Sequence, residues 1–169
     1  MTPPRLVIMG VSGCGKSTVG QGLAQRLHLP FIEGDALHSP RNVALMAAGI
    51  ALTDDDRKDW LDAIAQQLQA LQTDQGLVIS CSALKRIYRD RLRAACPDLQ
   101  FVHLYGAREL LDARLRQRQG HYMPPTLLDS QLATLETPTP DEHAIQLDIS
   151  QPIDALLLHL ETALTTSHD

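Results

Sequence analysis

The run Gly10-Val11-Ser12-Gly13-Cys14-Gly15-Lys16-Ser17 decides how this chain folds. It fits GxxxxGK[ST] at every defined position; with glycine near 7% of residues, a chance match in a chain of this size is roughly one in two hundred. Its surroundings agree. The apolar run Leu6 to Met9 before it has the length of a buried strand. Val19, Leu23 and Leu27 after it recur every four residues, as on a helix face. The glycines let the backbone turn so that successive N–H groups converge on phosphate oxygens, and the helix that starts near Lys16 adds its positive end. Lys16 is expected to reach the β- and γ-phosphates of a nucleoside triphosphate, and the Ser17 hydroxyl to ligate Mg²⁺. The bland alternative is a glycine turn before an ordinary helix; the complete motif between strand and helix weighs against it. Cys14 lies inside the loop, so a bulky adduct there would block the phosphates, and thiol alkylation is expected to inactivate.

Working outward, short apolar runs alternate with helical patterns. Phe31 and Ile32 form a second strand. Thr53 caps a helix with Asp54, Asp55 and Asp56 in its first turn, where negative charge suits the helix dipole, and with Leu61, Ile64, Leu68 and Leu71 facing the core. Leu77 to Ser80 is a third strand, and Lys85 to Ala95 a helix stopped by Pro97. Phe101 to Tyr105 is a fourth strand, Glu109 to Gln119 a charged helix, Ala144 to Ile149 a fifth strand and Ile153 to Leu164 the last helix. This alternation implies a parallel sheet covered by helices on both faces. Gly120 to Pro140, with four prolines and a helical stretch at Leu127 to Leu135, breaks the rhythm. It reads as a mobile lid or, alternatively, as a surface insertion without function.

The 169 residues suit one domain, 1–169, with one sizeable core, and 44% hydrophobic and 21% charged residues are an ordinary globular mixture. A net charge of −5 without long runs of one sign argues against nucleic acid and anionic membranes as partners. Residues Met1 to Arg5 are too short and polar for a signal peptide. Three cysteines without a CxxC pair or zinc pattern suggest reduced thiols, and so a cytoplasmic protein.

Neither a DxxG switch nor an NKxD base-reading motif occurs, so a GTPase is excluded, and the third strand ends in Ser80-Cys81 rather than in a Walker-B acid. A carboxylate for the metal's outer shell must come from elsewhere; Glu33, at the end of the second strand, is the candidate, acting through water. Beyond the loop, Glu33-Gly34-Asp35-Ala36-Leu37-His38 with Asn42, Leu52-Thr53-Asp54-Asp55-Asp56-Arg57 with Trp60-Leu61, Cys81-Ser82-Ala83-Leu84-Lys85 with Tyr88-Arg89-Asp90, Arg114 to Met123, and Ser130-Gln131 with Thr134-Leu135-Glu136 follow in order. Together with Gly10 to Thr18 they resemble the gluconate kinase family over nearly the whole chain. The CSALK and DDDR segments are the most specific. The resemblance implies a three-layer α/β fold of the P-loop, nucleoside-monophosphate-kinase-like type, with a five-stranded parallel sheet and a lid at about 120–140. It implies ATP and Mg²⁺ as cofactors and D-gluconate as the small-molecule substrate, phosphorylated at its primary 6-hydroxyl to feed the pentose phosphate or Entner–Doudoroff route. A homodimer is left open. A shikimate-type kinase would carry a glycine triplet where Cys81-Ser82-Ala83 stands. A nucleotide-binding regulator would bind ATP without turnover. The family usually has Asp where Glu33 stands and Pro where Ser39 and Ala51 stand. The first change lengthens a carboxylate by one methylene; the other two are expected to alter loop stiffness only.

A sugar-acid acceptor sets the remaining roles. Asp35, after a strand end, is the candidate to orient the hydroxyl and take its proton, with helix capping as the alternative. Arg57 suits the carboxylate, because a guanidinium forms two parallel bonds to it, unless it merely pairs with the aspartates beside it. Lys85 is the second anchor or an exposed helix-start lysine. His38 and Ser82 could bond substrate hydroxyls, or His38 could be a surface loop residue. ATP binding is assigned to Gly10, Val11, Ser12, Gly13, Cys14, Gly15, Lys16, Ser17 and Thr18. By resemblance to related kinases, Arg114 would stack on adenine, Arg118 would reach the phosphates on closure, and the turn at Pro152 would border adenine. Arg114 and Arg118 could equally belong to a solvated helix face. Trp60 reads as core packing.

Overall fold

The computed structural model describes residues 3–117 and 125–166. Five parallel strands, β1 (Arg5–Met9), β2 (Phe31–Glu33), β3 (Leu77–Ser80), β4 (Gln100–Tyr105) and β5 (Ile145–Asp148), form one sheet in the order β2-β3-β1-β4-β5. The central strand pairs Leu6 with Val78 on one side and with Gln100 on the other. Strands covered on both faces should read as unbroken apolar runs whose side chains divide between two cores, and they do. Leu6, Ile8, Val78, Val102 and Leu104 point into one core, with Val19 and Leu23 of α1 (Lys16–Leu27) and Leu156, Leu157 and Leu160 of α7 (Ile153–Thr166). Val7, Met9, Leu77, Ile79 and Phe101 point into the other, with Trp60, Ile64 and Leu68 of α3 (Asp54–Gln69) and Tyr88 and Leu92 of α4 (Arg86–Ala95).

The helix starts follow local chemistry. Thr53 and Asp56 form a reciprocal capping box at α3, at 3.1 Å and 2.9 Å. An additional helix, α2 (Pro40–Ala47), was not anticipated. Its signal is Ser39-Pro40: the Ser39 hydroxyl accepts the Asn42 N–H at 3.1 Å, and Pro40 supplies a preset φ at the first helical position. Ser39 therefore does more than set loop stiffness, because a proline in its place could not cap. The remaining two α-helices are α5 (Arg108–Gln117) and α6 (Pro125–Thr134). Only the part of the expected lid from Pro125 onward lies within the described residues. There α6 buries Leu127 and Leu128, the latter in the α1-side core, and Asp129 pairs with Arg108 of α5.

The order places β1 where the chain leaves on opposite sides to build the two halves of the sheet. The carboxyl edge at such a reversal opens a crevice for ligands. Residues 10–17, 33–38, 81–85 and 149–153 all leave strands at that edge. Gly34 makes one junction possible: a Cβ there would lie 1.9 Å from the Ser80 carbonyl oxygen.

Candidate active site

The loop after β1 is held from three directions. Gly15, with φ of 93°, turns the chain into α1 in a conformation that side chains disfavour. The Gly10 N–H donates to the Ser82 carbonyl at 3.2 Å, so the loop after β3 buttresses the loop after β1. The Ser12 N–H donates to Gln131 Oε1 of α6 at 2.7 Å. Lys16 Nζ curls over the turn and donates to the Gly10 and Val11 carbonyls at 3.0 and 3.1 Å. Cys14 is 1% exposed, and burial pushes its thiol pKa up against the lowering influence of Lys16. It faces the interior, against the expectation of ready alkylation.

Beside the start of α1, the Ser17 hydroxyl donates to Glu33 Oε2, and the buried Ser80 hydroxyl donates to Glu33 Oε1 at 2.6 Å. The Gly34 N–H in turn donates to Ser80 Oγ at 3.2 Å. The longer side chain of Glu33 thus meets the hydroxyl on which a metal role depends. Ser80, at the end of β3 where a Walker-B acid would stand, holds that carboxylate. Sequence reasoning overlooked this use of Ser80. Among the described residues, no cluster of three or more His, Cys, Asp or Glu could by itself cage a metal. One hydroxyl and one carboxylate fit Mg²⁺, which takes hard oxygens and completes its shell with phosphates and water.

Across the crevice, Asp35 lies in a 3-10 turn at Gly34–Leu37 with an exposed carboxylate. The helices that follow are capped by Ser39 and Thr53, so Asp35 is not spent as a cap. His38 is not a loose surface residue. Its ring stacks on Trp60 with centroids 4.1 Å apart and planes 15° apart, and its Nδ1 is 3.3 Å from Asn42 Nδ2. Burial lowers its pKa; Asp35 opposes this and Arg57 adds to it. Trp60 packs in the core as expected, and its Nε1–H also donates to the Gly34 carbonyl at 2.8 Å, fastening the turn that carries Asp35.

Arg57 is 8% exposed on α3, and Nη1 donates to the Tyr88 hydroxyl at 2.9 Å rather than to the aspartates beside it. Two of these are engaged elsewhere: Asp56 with Arg41 at 2.6 Å, and Asp54 with Lys85 Nζ at 2.9 Å and with the Tyr88 hydroxyl. Lys85 is the residue before α4; its pKa is raised by the Asp54 hydrogen bond. Ser82 is half-buried, with its carbonyl committed to Gly10. Asp35, Lys16 and Arg57 each lie close enough to the buried Cys81 thiol at the end of β3 to act on its ionisation, Asp35 raising its pKa and the two cations lowering it. Tyr88, quoted above only within a family segment, joins Arg57 to Asp54.

On the far side of the loop, a cavity of about 310 Å³ is lined by Gly13, Gly15, Thr18, Arg114, Gln151 and Ile153, among others. Pro152 lies between two of its wall residues. Arg114 Nη2 donates to the Ile149 carbonyl at 2.8 Å, which places the guanidinium in the cavity wall. Arg118 and His121 to Met123 lie outside the described residues.

The shikimate kinase family model matches residues 12–147. The gluconokinase of Gluconobacter oxydans (strain 621H) is 48% identical over 164 residues, covering 95% of this chain and 90% of the relative. The thermoresistant gluconokinase of Escherichia coli (strain K12) is 44% identical, covering 89% and 87%. The crystal structure of a gluconokinase from Sinorhizobium meliloti 1021 superposes with a TM-score of 0.85 at 45% identity and covers 99% of both chains.

Proposed function

The chain belongs to the gluconokinase family of P-loop kinases, and on that premise we propose how its residues carry out the family's reaction. The enzyme uses ATP to phosphorylate D-gluconate at its 6-hydroxyl, giving 6-phospho-D-gluconate and ADP. The O6–Pγ bond forms as the Pγ–O bond to the leaving diphosphate breaks, and the electron pair departs with ADP.

Phosphoryl transfer depends on position and charge neutralisation. Residues 10–18 cradle the triphosphate, and Lys16 leaves the Gly10 and Val11 carbonyls to reach the β- and γ-phosphates. Mg²⁺, when bound, neutralises charge on the phosphates; Ser17 would ligate it directly and Glu33 through water. Asp35 orients O6 and takes its proton as the new bond forms. Arg57 grips the sugar-acid carboxylate, and Lys85 assists once Asp54 shares or releases it. His38 and Ser82 hold substrate hydroxyls. Arg114 and Pro152 border adenine, and Arg118 approaches the phosphates as an element within 120–140 closes and excludes water. One observation carries the placement of the acceptor. Arg57 is a buried guanidinium with no carboxylate partner among the described residues, near the same strand end, Cys81, that Lys16 and Asp35 also approach. The same reading places the enzyme in the cytoplasm and leaves a homodimer to be tested by light scattering.

A coupled assay of ADP release across aldonic acids and their polyols tests the reading. Gluconate should be turned over and sorbitol, which lacks the carboxylate, strongly disfavoured. Equal turnover of the two would overturn it.

A further inference from the structure

The segment from Gln131 to Glu136 touches both halves of the site, yet the roles above leave it without a task. At one end, Gln131 Oε1 accepts the Ser12 N–H of the phosphate loop at 2.7 Å. At the other, the Glu136 N–H donates to the Leu84 carbonyl at 2.7 Å, and Glu136 Oε1 accepts the Arg86 N–H at 3.0 Å. Leu84 and Arg86 flank Lys85. Between the two ends, Leu132 packs against the core on the α1 face, and Leu135 packs against both cores.

The chemistry at each end is selective. A neutral amide oxygen can hold a phosphate-loop N–H without adding negative charge where a triphosphate must come; a carboxylate there would repel it. A carboxylate at the first N–H of α4 is well placed against the positive end of that helix. The stretch between them is anchored by the half-buried Leu132 and Leu135, which rest against the close-packed cores. Such packing yields by discrete rearrangement rather than by continuous give. A shift of the Leu84–Arg86 backbone as Lys85 engages an anion is therefore transmitted to α6, and through Gln131 to Ser12.

We propose that Gln131 is a positioning residue for the phosphate loop, and that residues 131–136 couple the acid-binding loop to it, so that sugar acid and nucleotide tighten one another. The inference rests on the gluconate reading for its second ligand.

The test measures binding of the non-hydrolysable analogue AMPPNP with Mg²⁺, with and without saturating gluconate. It is made on wild type, Gln131→Met, Glu136→Leu and Glu136→Gln, each checked for fold by circular dichroism and melting. Gluconate should tighten AMPPNP in wild type by about fivefold or more. The ratio should fall toward one in Gln131→Met and in Glu136→Leu, and survive in Glu136→Gln, which keeps the acceptor oxygen. A purely structural role would lower melting temperature and leave the ratio intact. A preserved ratio in Gln131→Met, or none in wild type, overturns the proposal. Gln131 is half-exposed, so its variant should fold and decides the matter if Glu136→Leu does not. Failure of the gluconate reading looks different: wild type releases no ADP with gluconate. Gln131→Met should still weaken AMPPNP alone several-fold, and unchanged affinity there overturns the positioning role as well.

Discussion

The guanidinium of Arg57 donates to the hydroxyl of Tyr88 at 2.9 Å, and its central carbon lies 5.4 Å from the centre of that ring. The pairing orients a buried cation without neutralising it, so the ordering cost is met before substrate arrives. Much of the contact with a carboxylate should exist in both ground and transition states. Arg57→Ala should therefore mainly raise KM for gluconate, lowering kcat/KM by about a hundredfold, or 2–3 kcal/mol. Tyr88→Phe keeps the ring and loses the hydroxyl's charge-assisted bonds to Arg57 and Asp54, but it leaves the guanidinium in place, so KM should rise by about tenfold, less than in Arg57→Ala. Arg57→Ala should also lose most of the preference for gluconate over sorbitol. If it discriminates as wild type does, Arg57 is not the anchor and Lys85 becomes the residue to replace.

Asp35 should act on the other term. On the proposed mechanism it orients the reacting hydroxyl, and it caps no helix, so Asp35→Asn should depress kcat by about 10²–10⁴ with a small change in gluconate KM. Steady-state kinetics at saturating ATP separate the two effects. A variant with near-normal kcat would remove Asp35 from the chemistry.

Much of this was legible before folding, and the reason differs from element to element. β3 was placed at Leu77 to Ser80, as observed, because a buried parallel strand is a continuous apolar run between polar breaks. The Thr53 cap was legible because a capping box is local. α2 was missed although Ser39-Pro40 announces it, since its eight residues carry little apolar periodicity around a single buried Asn42. In the site, the phosphate loop could be read because its chemistry is contiguous. Ser80, Tyr88 and Gln131 could not. Ser80 meets Glu33 from 47 positions away, Tyr88 meets Arg57 from 31 and Gln131 meets Ser12 from 119, and only the sheet order brings them together.

The metal corner gives a third prediction. Glu33 accepts from both Ser17 and Ser80, so its position and reach are set by two hydroxyls. Glu33→Gln should raise the Mg²⁺ concentration for half-maximal activity by about 10–100-fold, the usual range for outer-shell partners, and leave gluconate KM unchanged. Glu33→Asp, the residue usual in the family, should sit between wild type and Gln. An unaltered Mg²⁺ requirement in Glu33→Gln would detach Glu33 from the metal.

Cys14 gives a fourth. Its thiol is buried and its pKa is raised, and it is the thiolate that alkylates. Native enzyme at pH 7.5 should resist iodoacetamide at Cys14, whereas guanidinium-unfolded chain should be modified quickly. Peptide mass mapping reads both states. Rapid native labelling that Mg-ATP prevents would mean that the loop opens far more often than this packing suggests.

The last prediction concerns acid stability and the buried pair of Arg89 and Glu142. Both side chains are 1% exposed; Arg89 Nε meets Oε1 at 2.7 Å, and Arg93 meets the same oxygen at 2.7 Å. Arg89 also donates to the Ala83 and Leu84 carbonyls at 2.8 and 3.2 Å, holding the loop that bears Ser82 and Lys85. Burial pushes the Glu142 carboxyl up, but hydrogen bonds from Arg89 and Arg93 outweigh it and bring its pKa to about 2. The unfolded chain binds this proton near pH 4.5, so the stabilisation is complete above that and lost as pH falls toward 2. His103 of β4, on the same face of the sheet, acts at higher pH. Burial, with the charge of Arg89, lowers its pKa to about 4, and its Nδ1 has no hydrogen-bond partner among the described residues. The unfolded state takes that proton first, near pH 6.5, so stability should decline as pH falls from 6.5 to 4 and steepen below 4.5. Urea unfolding across pH should show both limbs: His103→Leu should flatten the upper one and Glu142→Gln the lower. At pH 7, Glu142→Gln should cost about 3–5 kcal/mol, because it leaves two cations facing a neutral amide, and lower Tm by roughly 6–20 °C. Arg89→Met combined with Glu142→Leu should cost less than Glu142→Gln alone. Flat stability between pH 4 and 6.5 in wild type would show that His103 is protonated without penalty, and would remove it from the account.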